Sequence, residues 1–177
     1  MTFRRAKLFQ KKENNQENIY AIAYDTDVEY CTYLRNMFSD GYKEIAITSE
    51  IMLNIIKTMC ATKGYSIYEI EFDEEDEELN QEVDTLIKKV SSNPEYLTVL
   101  MDMLKSMSEE MSVNIKRIYM KGKYEEYNVP NFFIQSNGIV GINQECYEQI
   151  LGIICDEVKR CFSKETENNG YRELGVV

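Results

Sequence analysis

The stretch Ala21-Ile-Ala-Tyr-Asp25-Thr-Asp27-Val28 is the most chemically suggestive part of this 177-residue chain, because an apolar run ends there in two carboxylates. Asp25 and Asp27 at the carboxyl end of a strand would stand where open α/β sheets bind ligands, and such a pair can hold Mg²⁺, a hard ion that selects oxygen. The same residues suit a turn and a helix cap, since their side-chain oxygens accept from free backbone N–H groups. A second candidate is the acidic run Glu69, Glu71, Asp73, Glu74, Glu75, Asp76, Glu77 and Glu78, eight acids within ten residues. Crowded carboxylates repel one another and favour a nearby cation or basic surface. The run lacks the central glycine and alternating ligand register of an EF-hand, so calcium is not its expected partner. Its second half also reads as the acidic first turn of a helix, where negative charge complements the macrodipole. Tyr124 and Tyr127, among Lys121, Lys123, Glu125 and Glu126, add aromatics of the kind that anchor protein interfaces.

Around Asp25 and Asp27 the sequence resembles the first motif of haloacid-dehalogenase-type phosphohydrolases, and its Asp-Thr opening is similar to that of PIN-type nucleases. The first resemblance implies Asp25 as nucleophile, Asp27 as general acid/base and Mg²⁺ as cofactor. It further implies Thr48 as the phosphate-binding hydroxyl, Lys57 or Lys63 as the neutralising lysine, and Asp73 with Asp76 as the second acidic group. The second resemblance implies Glu50 and Asp102 as later carboxylates and places the last acidic position near Asn137, which is uncharged.

The chain has no histidine, which removes Ser-His-Asp triads, Cys-His dyads, His-containing zinc sites and the HExxH motif. Cys31, Cys60, Cys146, Cys155 and Cys161 lack the spacing of a thiolate zinc site, and most fall on apolar helix positions where a reduced thiol packs as a small hydrophobe. A net charge of −11 disfavours phosphate backbones and favours encounter with a basic protein surface. The N-terminal residues carry positive charge with no apolar run behind it, and no stretch reaches the length of a membrane span, so a cytoplasmic protein is expected. The preference for Ile, Lys, Asn, Tyr and Met suggests a low-GC bacterial or phage genome.

These residues need elements to position them. Residues 3–9 and 18–25 read as two strands joined by a polar connector, and Ile19–Tyr24, apolar on both faces, reads as a strand inside a sheet. Tyr30, Cys31, Leu34, Met37 and Phe38 shift to helical period, with Asp27 as cap and Gly41 as terminus. Met52, Ile55, Ile56, Met59 and Cys60 predict a second helix capped by Thr48 or Ser49. Tyr68, Ile70 and Phe72 alternate with Glu69 and Glu71 as a strand. Leu79–Val90 predicts a third helix, and a fourth, opened by Pro94, carries Leu97, Leu100, Met101, Leu104 and Met111. Short β-like runs follow at 113–121, 124–129, 132–135 and 139–142, with a type I′ turn expected at Asn137-Gly138. A last helix is expected over 144–162.

The expected fold is one α+β domain over 1–162, a mixed, mostly antiparallel sheet with about five helices packed on it. A polar, frayed tail is expected over 163–177. Arg4, Arg5, Lys7, Lys11 and Lys12 form the main basic concentration, expected on a solvated edge strand. The leading functional expectation is a non-catalytic binding or regulatory protein, similar in style to immunity proteins and inhibitors, that meets a basic protein through Glu69–Glu78, with no cofactor. The alternative is an Mg²⁺-dependent phosphoryl-transfer or phosphodiester enzyme built on Asp25 and Asp27, and a third expectation is self-association through hairpin edges.

Overall fold

The computed structural model describes residues 3–14, 16–74, 76–122 and 129–173, the side chains of 164–173 excepted. In chain order the elements are β1 Phe3–Glu13, β2 Gln16–Ala23, α1 Tyr30–Ser39, β3 Lys43–Glu44, α2 Ser49–Thr62, β4 Tyr65–Phe72 and α3 Glu77–Ser92. They continue with α4 Tyr96–Glu110, β5 Ile115–Gly122, β6 Phe132–Gln135, β7 Ile139–Asn143, a 3₁₀ turn over Gln144–Cys146, and α5 Tyr147–Glu173. The strands form one sheet in the order β2-β1-β7-β6-β5-β4, with β3 paired to β1 beside β7, and every pairing among the described residues is antiparallel. This is the α+β arrangement expected from the sequence.

Alternation along the strands divides the residues between two faces. Ala6, Leu8, Ile118, Met120, Phe132, Ile134, Val140 and Ile142 point to one face and are fully buried under the helices. Helix α2 forms the middle of that layer, packing against β4, β5, α4 and α5. Its residues Ile51, Met52, Ile55, Ile56 and Met59, spaced for one helical stripe, are all buried. Thr48 accepts from Ile51 N at 3.3 Å as its N-cap, and Gly64 takes a φ of +73° just past its end. The opposite face is covered over β1 and β2 by α1, whose Tyr33 ring lies 5.9 Å from that of Phe9 and 5.0 Å from that of Tyr24.

Several sequence expectations are corrected. The polar connector 10–18 is not a loop: Lys11 pairs with Asn18, Lys12 with Glu17 and Glu13 with Gln16, so the strands run on to a turn at Asn14, where φ is +51°. Complementary polar pairs across the ladder support strand as well as apolar ones do. Helix α1 begins three residues after Asp27, and its N-cap residue is Glu29 rather than Asp27. Strand β2 is at the margin of the sheet, although its two apolar faces are both partly covered, one by α5 and the other by Tyr33 of α1 and by Tyr42. Strand β1, expected at an edge, is interior, and its Lys7 is completely buried. At the β6–β7 hairpin only Gly138 has positive φ, +80°, and Gly138 N donates to Gln135 O at 3.0 Å. The connection is therefore a three-residue loop closed by a left-handed glycine, not a type I′ turn. The run expected over 124–129 lies outside the described residues except for Val129, and α5 continues past Phe162 to Glu173. No helix among the described residues is long and apolar enough to cross a membrane.

Candidate binding surface

The acidic run occupies the edge strand β4 and the corner that leads into α3. Glu69 and Glu71 sit opposite Tyr119 and Arg117 of β5, on the sheet face away from the main core. Bulges between Ile67 and Glu69 and between Glu71 and Phe72 bend this edge. Glu71 Oε1 accepts from Arg117 Nη1 at 3.2 Å and from the Tyr119 hydroxyl at 2.9 Å, while Arg117 Nη1 also lies 2.6 Å from that hydroxyl. In the amide orientation that satisfies both of its ends, Gln135 accepts from Arg117 Nε at 3.0 Å. Burial raises the Tyr119 pKa, with Arg117 opposing it. Glu71 is thus neutralised within a closed polar network.

The other acids have different local roles. Asp73 Oδ1 accepts from Asn114 N at 2.8 Å while Asp73 N donates to Asn114 O at 3.0 Å, a reciprocal pair that ties the corner to the start of β5. Asp76 is the N-cap of α3, accepting from Leu79 N at 3.0 Å, and Glu77 and Glu78 fill the first turn. Glu69, Glu74, Glu77 and Glu78 are exposed, and among the described residues Glu71 is the one acid of the run held in an ion pair. Glu75, Tyr124 and Tyr127 lie outside the described residues. The structure therefore fixes the backbone of an acidic corner at both ends and leaves its outer carboxylates in solvent.

The residues of the alternative reading are not brought together. Asp25 Oδ1 accepts from Asp27 N at 3.0 Å and Asp25 O from Val28 N at 3.2 Å, which makes the pair an exposed turn between β2 and α1. Thr48, Glu50 and Asp102 do share a cleft of about 600 Å³ between α2 and α4, with Lys57 and Lys105, but Asp25 and Asp27 do not line it. Lys63 is the exposed C-cap of α2. Among the described residues no three Asp, Glu, Cys or His side chains are grouped to hold a metal ion.

One cluster escaped sequence reasoning. Lys7 Nζ lies 2.9 Å from Glu44 Oε1 and donates to the carbonyl of Asn137, with the Phe9 and Tyr30 rings 5.4 and 5.6 Å away. The Tyr30 hydroxyl donates to Glu44 at 3.1 Å. The only signal was that strand alternation puts Lys7 on the same face as Phe9.

Burial, reinforced by Glu44, pushes the Tyr30 pKa from 10.0 up to about 12, and burial with Tyr24 nearby does the same to Tyr33. Below pH 10 both phenols are neutral in the folded and unfolded chains, so their contribution is intact. Between pH 10 and about 12 the unfolded chain releases protons that the native state still holds, and stability falls as pH rises. Chemical denaturation at successive pH values should show this loss, and Tyr30→Phe and Tyr33→Phe should each flatten it. Parallel losses in wild type and both variants would show that these phenols are not responsible.

Compared with known protein families, curated proteins and solved structures, the chain has no significant match in any of the three.

Proposed function

We propose that this chain is a non-catalytic cytoplasmic binding protein of regulatory or inhibitory type, whose β4–α3 corner engages a basic surface on another protein. The observation that carries the reading is the set of exposed carboxylates Glu69, Glu74, Glu77 and Glu78, set on backbone anchored by Asp73 and Asp76. Charge presented on ordered backbone loses less entropy on binding than charge on a mobile tail. A net charge of −11 adds long-range attraction for a basic partner and repulsion toward nucleic acid. The buried thiols of Cys60 and Cys161 fit a reducing compartment.

The test is the triple substitution Glu74→Lys, Glu77→Lys and Glu78→Lys, which spares the structural Asp73 and Asp76. With a partner captured by the immobilised wild-type chain, the association rate at low salt should fall roughly 10–100-fold, and its salt dependence should disappear. Rates that are unchanged at every salt concentration would remove the acidic corner from the interface. The Mg²⁺-dependent alternative would require a further oxygen ligand beside Asp25 and Asp27, and nothing in the geometry of that turn favours it.

A further inference from the structure

We propose that the free edge of β2 joins two copies of this chain, pairing antiparallel with its own equivalent about a two-fold axis. The direction of each backbone group follows from the ladder. Tyr24 N donates to Arg5 O at 3.1 Å, so in the β1–β2 pairing the even-numbered residues of β2 point their N–H and C=O groups at β1. Leu8 N, from the even-numbered set of β1, donates to Gly138 O at 2.8 Å on the far side of β1, as the same alternation requires. The N–H and C=O groups of Glu17, Ile19, Ala21 and Ala23 therefore point outward, and among the described residues β2 has no second strand to receive them.

This edge lacks the devices that normally block strand addition. Gln16–Ala23 contains no proline, its pairing with β1 has no bulge, and Glu17 is its one charged residue. The opposite edge of the sheet, β4, is protected by bulges and by Glu69 and Glu71.

A second copy fits as the occupant because one register uses every outward group. With Tyr20 facing Tyr20 of the partner copy, Ile19 pairs with Ala21 and Glu17 with Ala23, and the two-fold repeats both pairs. Copies of a chain with net charge −11 repel over most approaches. In this register the lone acid, Glu17, meets an alanine and like charges do not face each other along the strand. The product is a continuous sheet, the six-strand path of each copy joined edge to edge.

The test is sedimentation equilibrium of the full chain and of Ala21→Pro, with disulfide trapping in a Cys31→Ser background. Ala21 N–H points away from β1, so proline removes no bond of the β1 ladder and loses one bond in each half of the dimer. Wild type should sediment at twice the chain mass in the micromolar range, and Ala21→Pro should dimerise about thirtyfold more weakly or worse, with unchanged far-UV circular dichroism. Tyr20→Cys should cross-link on mild oxidation, since residues facing each other in a non-hydrogen-bonded pair have Cα atoms about 4.5 Å apart, and Asn18→Cys should not. A wild type that stays monomeric at all concentrations overturns the proposal, and leaves the edge to a strand from another protein. So does a dimer that survives Ala21→Pro, or equal cross-linking through Asn18→Cys. If Ala21→Pro fails to fold, the two cysteine variants decide.

Discussion

Glu44→Gln should destabilise the fold by about 3 kcal/mol, whereas Lys7→Met should cost less than about 1.5 kcal/mol or be neutral. The asymmetry comes from where the two charges lie. Lys7 is completely buried between β1, β3 and the β6–β7 loop, and its ammonium meets Glu44, the Asn137 carbonyl and the Phe9 and Tyr30 rings. The amide that replaces the Glu44 carboxylate keeps an acceptor oxygen but removes the charge, so the buried ammonium is left among neutral groups, which do not replace water. The side chain of Glu44 is 42% exposed, so after loss of Lys7 water solvates it and the Tyr30 hydroxyl still donates to it. Methionine fills nearly the same volume as the lysine stem and needs no partner. Urea denaturation of the two single variants and the double variant measures this. The double variant should be close to Lys7→Met, because Glu44 matters mainly through the charge it compensates. If Lys7→Met is the more damaging single change, the pair contributes net attraction and this account fails.

Gly141→Ala should cost about 3 kcal/mol, at the upper end for the addition of one methyl group. Gly141 of β7 is directly opposite Phe133 of β6, and a Cβ at this glycine would fall inside the Phe133 ring. The missing side chain lets the ring lie flat across the neighbouring strand. There it packs edge-on against Phe3 at 5.4 Å between centroids, against Tyr119 at 5.7 Å, and under the Arg117 guanidinium at 5.5 Å. Added bulk at Gly141 would expel the ring, expose an otherwise buried Phe133 and undo the support of the Arg117–Glu71–Tyr119 network. Phe133→Leu should recover part of the loss when combined with Gly141→Ala, although it is destabilising alone. Strict additivity in thermal or chemical denaturation would show that the two positions do not compete for the same space.

Much of the fold was legible because periodicity records which faces are covered. Helix α2, strands β4, β6 and β7, and the cap at Thr48 follow from spacing and local chemistry. Periodicity carries no information on which edges are paired. The apolar pattern of β2 correctly implied cover on both faces but not its place at the margin, and the basic residues of β1 suggested a solvated edge for a strand that is interior. Lys7 shows why: its burial depends on Glu44 and on the carbonyl of Asn137, distant positions brought together only by the topology. At the candidate surface, the density of acids was plain in the sequence, but their division of labour was not. Glu71 is neutralised by Arg117 across a strand pair, and only the register reveals that.

The place of β1 between β2 and β7 has a consequence for synthesis. Translation proceeds at roughly 5–20 residues per second, so the first strand leaves the ribosome on the order of ten seconds before the strand that completes its far side. For that interval the β1/β2 hairpin has no β7 to pair with Phe3–Lys7, and the Lys7 ammonium has no Asn137 carbonyl. Pairings between strands so far apart in sequence also form slowly once the chain is complete. A ribosome stalled before Ile139 would hold a β1/β2 hairpin whose far margin can meet β3 at Phe9 and Gln10 but leaves Phe3–Lys7 unpaired.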